Sequence, residues 1–128
     1  MYIETSLLSS SPVINKEGFP SSLTYDLPRL IGIMKLEPKW EKGELNTMIL
    51  LKSPLKKILL TILHEGTEIV SYQSGKSLTL QIIEGKLNLH IKNESVILKS
   101  NELFTLSENV KYSFESMEDT VFLLTHLS

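Results

Sequence analysis

From residue 45 onward, apolar and polar positions alternate along the chain with a period of two. Leu45, Thr47, Ile49 and Leu51 share one phase of this pattern, as do side chains on one face of a strand. Further strand-like runs are predicted at 57–64, 68–73, 78–84, 87–92, 95–98, 102–106, 110–115 and 120–126. Short strands at such regular spacing, separated by Gly, Asn, Ser and Pro, are typical of an all-β sandwich or barrel.

Two details of the strand pattern predict a hairpin and the packing of both strand faces. The pair Asn93-Glu94 separates LNLHIK from SVIL, and it predicts a tight hairpin because Asn tolerates the left-handed conformation. Several runs, such as LTLQII and VFLLTHL, are apolar on both faces. We therefore expect one face to fill a barrel and the other to pack on a second sheet, a helix or a second subunit.

The first 44 residues follow a different pattern. Residues 1–23 are rich in Ser and indicate an extended arm. Asp26 is the predicted N-cap of one short amphipathic helix, which has Pro28 in its first turn and apolar residues at helical spacing up to Met34. We predict an arm and helix over 1–44 and a β-barrel over 45–128, together forming a single globular domain.

Composition excludes several classes of function. The 128 residues include no cysteine, which excludes thiolate metal sites and cysteine nucleophiles. The net charge is −2, and the cluster Lys52, Lys56 and Lys57 is too sparse for a polybasic patch, so no nucleic-acid partner is expected. No apolar run reaches the ~18 residues of a membrane helix. The first residues do not have the pattern of a signal peptide, and we expect a cytoplasmic protein with no membrane partner.

The spacing of two sets of residues resembles the two cupin motifs. Gly66 is followed after five residues by Tyr72, and the positions that follow are Ser74, Leu78 and Gly85. The first cupin motif places His, His and Glu ligands between two glycines at this spacing. The second motif ends in a fourth ligand, His, and its spacing is matched by Asn101, Ser107, Asn109 and Tyr112. The chain thus resembles a small single-domain, RmlC-like cupin whose metal-binding motifs are degenerate.

This resemblance implies a jelly-roll barrel and, because small cupins commonly pair, a homodimer. The ligand positions hold Tyr72, Ser74, Leu78 and Tyr112. Transition metals in such barrels prefer imidazole and carboxylate ligands, and phenols with a pKa near 10 are poor substitutes at neutral pH. We therefore expect no metal and no other cofactor. Asn101 and Asn109 stand where the motif has glycines, and Asn can adopt the same positive φ.

Alternation within the matched strands predicts which side chains point into the barrel. The predicted interior is Val70, Tyr72, Ser74, Leu78, Leu80, Ile82, Tyr112 and Phe114. It contains two phenols and one hydroxyl, with no carboxylate or imidazole. The candidate ligand-pocket residues are Val70, Tyr72, Ser74, Leu78, Leu80, Tyr112 and Phe114, and no catalytic residue is assigned.

None of the three histidines occupies a cupin ligand position. His90 is expected to face solvent, and His64 and His126 could approach each other if their strands pair, forming a site with Glu65 or Glu68. The leading functional hypothesis is a metal-free binding or sensory module for a small molecule. Two alternatives stay open: a metal-independent isomerase or epimerase using a His–carboxylate pair, and a purely structural dimeric partner.

Overall fold

The computed structural model describes residues 13–14, 20–73 and 76–127. The strands are β1 Val13–Ile14, β2 Pro20–Ser22, β3 Asn46–Lys52, β4 Lys56–Leu63, β5 Glu68–Gln73, β6 Ser77–Glu84, β7 Lys86–Ile91, β8 Glu94–Lys99, β9 Leu103–Leu106, β10 Lys111–Ser116 and β11 Thr120–Leu127. The helices are α1 Leu27–Met34 and α2 Pro38–Glu41. The predicted strands from residue 45 onward and the predicted helix are all present, whereas α2 and the pairing of β1 with β2 within the predicted extended arm were not anticipated.

Two antiparallel sheets form the barrel. One has the strand order β5-β10-β7-β8 and the other the order β3-β4-β11-β6-β9, while β1 and β2 pair separately. The main core lies between these two sheets and includes Leu80, Leu89 and Phe114. This arrangement confirms the predicted all-β jelly roll.

Helix α1 covers the outer face of the five-stranded sheet. The Asp26 carboxylate accepts the Arg29 backbone N–H at 3.3 Å, so the predicted N-cap is present. Leu30 and Met34 are fully buried in a second cluster that includes Leu60 and Val121. The apolar outer face of β4 and β11 is therefore explained by the helix, as the two-faced strand pattern predicted. No helix in the described ranges has the length and apolar character needed to cross a membrane.

Several turns require a left-handed backbone. Gly66 and Gly85, the two glycines of the first motif, have φ of +81° and +94°. Asn101 and Asn109 have φ of 70° and 65°, as predicted for asparagines at glycine positions. The turn of the β7–β8 hairpin is Lys92-Asn93, one residue earlier than the predicted Asn93-Glu94. Glu94 already pairs with Ile91, and the residue with positive φ is Lys92.

A β-bulge corrects one part of the predicted interior. Tyr112 pairs with Tyr72, but Phe114 pairs with Ile69, so the register shifts by one residue between them. The bulge reverses the facing of the residues before it. Ile69 packs on the core, whereas Val70, predicted to point inward, is 79% exposed.

Candidate functional site

A cavity of about 270 Å³ lies between the two sheets. Its walls are mainly apolar and come from both sheets, and the lining residues are Leu45, Thr47, Thr61, Leu63, Ile69, Val70, Tyr112, Phe114, Phe122, Leu124 and His126. The exposed residues among them, Thr47 on β3 and Val70 on β5, belong to the edge strands of the two sheets. The cavity therefore reaches the surface between these two edges.

Three aromatic rings form one wall of the cavity. Phe114 and Phe122 meet edge to face, with ring centroids 5.6 Å apart and an interplanar angle of 86°. The Tyr112 and Phe114 rings are nearly parallel, with centroids 6.3 Å apart. All three side chains are buried. Edge-to-face pairs are energetically favourable, and the three rings give an apolar group a surface to pack against.

A few polar groups interrupt the apolar lining. The Thr47 and Thr61 hydroxyls lie opposite one another on β3 and β4 and form a hydrogen bond of 3.1 Å. On β11, the His126 Nδ1 atom is buried and has no hydrogen-bond partner. A buried polar atom without a partner costs free energy, so a ligand able to hydrogen-bond to this nitrogen would gain affinity.

The predicted interior residues divide into three groups. Tyr112 and Phe114 line the cavity, and Val70 lies at its exposed rim. Leu78, Leu80 and Ile82 are buried in the main core and fill the β6 side of the barrel instead of lining the cavity. Ser74 lies outside the described residues. The backbone of Tyr72 pairs with Tyr112, while its side chain falls outside the described part of the chain.

The histidines are placed far apart. His126 pairs with Lys57, and His64 follows the opposite end of β4, where Leu63 pairs with Thr120. Seven residues of strand between positions 57 and 64 correspond to about 23 Å, so the proposed two-histidine site with Glu65 or Glu68 is wrong. His64 instead stacks on Trp40 at 3.4 Å between ring centroids and bonds to its carbonyl oxygen. His90 is exposed, as predicted.

His126, which the sequence suggested only as part of a two-histidine site, instead lines the cavity. It lies at no cupin motif position, and its inward direction follows only from its phase with Leu124 and Phe122 on β11. The visible signal was the alternation VFLLTHL, in which positions 122, 124 and 126 share one face. That signal did not reveal which face of the strand lines the cavity.

The described side chains do not fit a transition metal. Leu78, at the position of a carboxylate ligand, is 4% exposed and packed in the core. Within residues 13–14, 20–73 and 76–127, no three His, Cys, Asp or Glu side chains come close enough together to hold a metal ion. His126 is the one imidazole lining the cavity, and the described lining residues include no carboxylate. We therefore assign no chemistry to a metal at this site.

The surroundings of His126 disfavour its protonated form. Burial, followed by the charges of Lys57 and Lys76, lowers the pKa of the imidazole below its ordinary value of 6.5. As pH falls through 6.5, His126 therefore becomes protonated in the unfolded chain while it is still neutral in the folded protein. The free energy of unfolding must decrease over this interval, from pH 6.5 down to the lower pKa of the folded state.

This linkage predicts a pH-dependent effect of His126→Gln. Wild-type protein should lose more stability between pH 7.5 and pH 5.5 than the variant does, measured by urea unfolding at both pH values. The control is His90→Gln, which removes an exposed histidine and should keep the wild-type pH dependence. An equal loss of stability in wild type and His126→Gln would contradict the assigned surroundings of His126.

Comparison with solved structures supports one fold. The cupin domain of Schizosaccharomyces pombe Cnp3 matches with a TM-score of 0.70 and 17% identity, covering 92% of this chain and 85% of that domain. A cupin superfamily protein from Desulfitobacterium hafniense has a TM-score of 0.65 and 13% identity, covering 66% of this chain and 78% of that one.

A conserved Streptococcus pyogenes protein of unknown function also matches, with a TM-score of 0.65 and 16% identity, covering 68% of this chain and 76% of that one. By sequence, no family model and no curated protein matches. At these identities the likeness concerns the fold, which agrees with the sheet order and with the motif glycines. The chain is a small cupin-fold domain.

Proposed function

We propose that this protein is a metal-independent binding module for a small, partly apolar molecule, which it holds in the cavity between its sheets. The observation that carries the proposal is the cavity itself, with apolar walls from both sheets and the unpartnered His126 Nδ1. Binding sites for small molecules usually combine such walls with a few polar groups that orient the ligand.

The cavity volume limits the size of the ligand. An apolar cavity of about 150 Å³ accepts benzene, and the space here is about 270 Å³. A single ring with a short substituent, or a short branched chain, matches that volume. Larger ligands would have to extend between the edges of β3 and β5, where Thr47 and Val70 are exposed.

The isomerase or epimerase alternative receives less support. Proton transfer of that kind needs an acid–base pair within hydrogen-bond reach of the substrate. His126 supplies one such group, but the described lining residues provide no carboxylate to accompany it. The alternative of a purely structural partner predicts a barrel filled by side chains, and the cavity beside Phe114 and Phe122 favours binding instead.

The experiment that tests the proposal is a mass-spectrometric search for small molecules retained by the purified protein. The same sample, after extensive dialysis, is analysed for metals. We expect an organic molecule that fits the cavity, released on denaturation, and no stoichiometric Fe, Mn, Ni or Zn. One equivalent of metal per chain would contradict the metal-independent proposal. If no molecule is retained and none from a fragment library raises the melting temperature, the binding proposal fails.

We also propose that the protein forms a homodimer. By sequence, the amino-terminal segment contains apolar residues besides those that α1 buries; Leu7 and Leu8 lie outside the described residues, as do the side chains of Val13 and Ile14. Covering such residues on a second copy would remove apolar surface from water. Light scattering at micromolar concentration should give a mass near twice 14.5 kDa, and a mass of one chain would contradict the proposal.

A further inference from the structure

We propose that the ligand is an organic anion whose acidic group lies against a row of basic side chains at one end of the cavity, with its apolar body against the aromatic wall. This inference rests on the proposed binding function and adds the charge class of the ligand. The basic row consists of Lys52, Lys57 and His126.

Strand register places the basic row on the inner face of the five-stranded sheet. Lys52 pairs with Lys57 across β3 and β4, and Lys57 pairs with His126 across β4 and β11. Residues directly opposite one another on paired strands project from the same face, with Cβ atoms about 5 Å apart. Because His126 lines the cavity, the two lysines lie on the cavity side of the sheet.

The next position in the row connects it to the degenerate cupin centre. His126 pairs with Leu78 on β6, which stands at the position of the third metal ligand. Tyr112, at the fourth ligand position, lines the same cavity from the facing sheet. The basic row therefore approaches, from β3, β4 and β11, the region where other cupins hold a cation.

The charges around this end of the barrel are predominantly positive. Strand register and turn positions show which charged residues lie at the same end of the barrel as the basic row. In the described part of the chain they are Lys52, Lys56, Lys57, Lys76, Lys92, Lys111, Glu94 and Glu108. Within the described ranges, no carboxylate lies at ion-pair distance from Lys57. Clustered charges of one sign raise the local concentration of oppositely charged ligands.

The like charges of the basic row destabilise the sheet, and a bound anion would offset this destabilisation. Like charges directly opposite one another destabilise a sheet, and Lys52 and Lys57 form such a pair. An acidic group between the lysines and the imidazole would accept charge-assisted hydrogen bonds, which are stronger than neutral ones. In the tautomer that carries its proton on Nδ1, the buried His126 Nδ1–H would at the same time donate to the acidic group. An anion thus satisfies several groups together, whereas a cation would be repelled by the lysines and a neutral ligand would form weaker hydrogen bonds.

The test compares acids with their neutral isosteres as defined probes. Phenylacetate is paired with phenylacetamide and hexanoate with hexanamide, and each Kd is measured by calorimetry or ligand-observed NMR at about 20 mM salt. We expect each acid to bind at least about fivefold more tightly than its amide. Raising the salt to about 300 mM should reduce this preference, because exposed charges are screened.

A matched pair of variants tests whether the preference for the acid depends on the basic row. Lys57→Gln should reduce the preference for the acid to less than about twofold. The control, Lys99→Gln, removes the same charge from an exposed position at the opposite end of the barrel and should leave the preference unchanged. Equal affinity for acid and amide in wild type would overturn the charge inference while leaving the binding proposal in place. Absence of binding for every probe would overturn the charge inference, and together with the absence of any retained molecule or fragment hit it would overturn both.

Discussion

Replacing Gly85 with alanine should cost about 2–5 kcal/mol of unfolding free energy, a large part of the stability of a domain this size. At φ of +94° an alanine is strained by about 1–2 kcal/mol. Its Cβ would also lie 2.4 Å from the Asp119 carbonyl oxygen and 2.5 Å from Thr120 Oγ1. Overpacking of this kind typically adds about 1–3 kcal/mol.

The neighbours of Gly85 have little room to move. Asp119 contributes a backbone atom to the clash, and Thr120 is 1% exposed. The Thr120 hydroxyl also accepts the Lys86 backbone N–H at 3.1 Å, so shifting it would break that hydrogen bond. Relief would therefore require the β6–β7 turn and the start of β11 to separate.

Gly66→Ala is the matched control, because Gly66 has φ of +81° and, apart from its two chain neighbours, no described residue has an atom within 4 Å of the added Cβ. It should lose only the backbone-strain component, about 1–2 kcal/mol. Urea denaturation of wild type and the two variants measures the difference. Equal losses in both variants would show that the close approach of β11 to Gly85 is wrong.

The second large effect is expected from Thr47→Trp, which should abolish ligand binding by filling the cavity. Thr47 is exposed on the edge strand β3 and lines the cavity between β3 and β5. An indole at this position would occupy the space beside Val70 without displacing a core residue. We expect at least a tenfold increase in the Kd of the retained molecule, equivalent to about 1.4 kcal/mol, with folding preserved.

Thr105→Trp is the control for this substitution. Thr105 is an exposed threonine on β9, the opposite edge strand of the same sheet, and it does not line the cavity. Its variant should bind the ligand with wild-type affinity. If Thr47→Trp binds normally, or if Thr105→Trp loses binding to the same extent, the ligand does not occupy the cavity between the sheets.

Local patterns were sufficient to predict most of the fold. Alternation identified the strands after residue 45, and the Asp26 cap with apolar helical spacing identified α1. These signals depend on neighbours in sequence, so one chain reveals them. Helix α2 was missed because its four residues, Pro38–Glu41, are too short to show a helical period.

The candidate site was predicted less completely, because it depends on strand register. The bulge opposite Tyr112 and Phe114 exposes Val70 and turns Ile69 inward, and alternation alone does not predict a bulge. His126 and Lys57 become neighbours only when β4 and β11 pair. The motif spacing did locate Tyr112 correctly inside the barrel, and alternation along β10 added Phe114.

The most direct measurement is a search for intermolecular NOEs between the retained molecule and the methyl groups of the protein. Binding in the cavity predicts contacts to Thr61, Leu63 and Leu124, which line it. A separate surface groove is lined by Ile91, Leu106 and Val110. Contacts confined to those three residues, with none in the cavity, would contradict the proposed binding site.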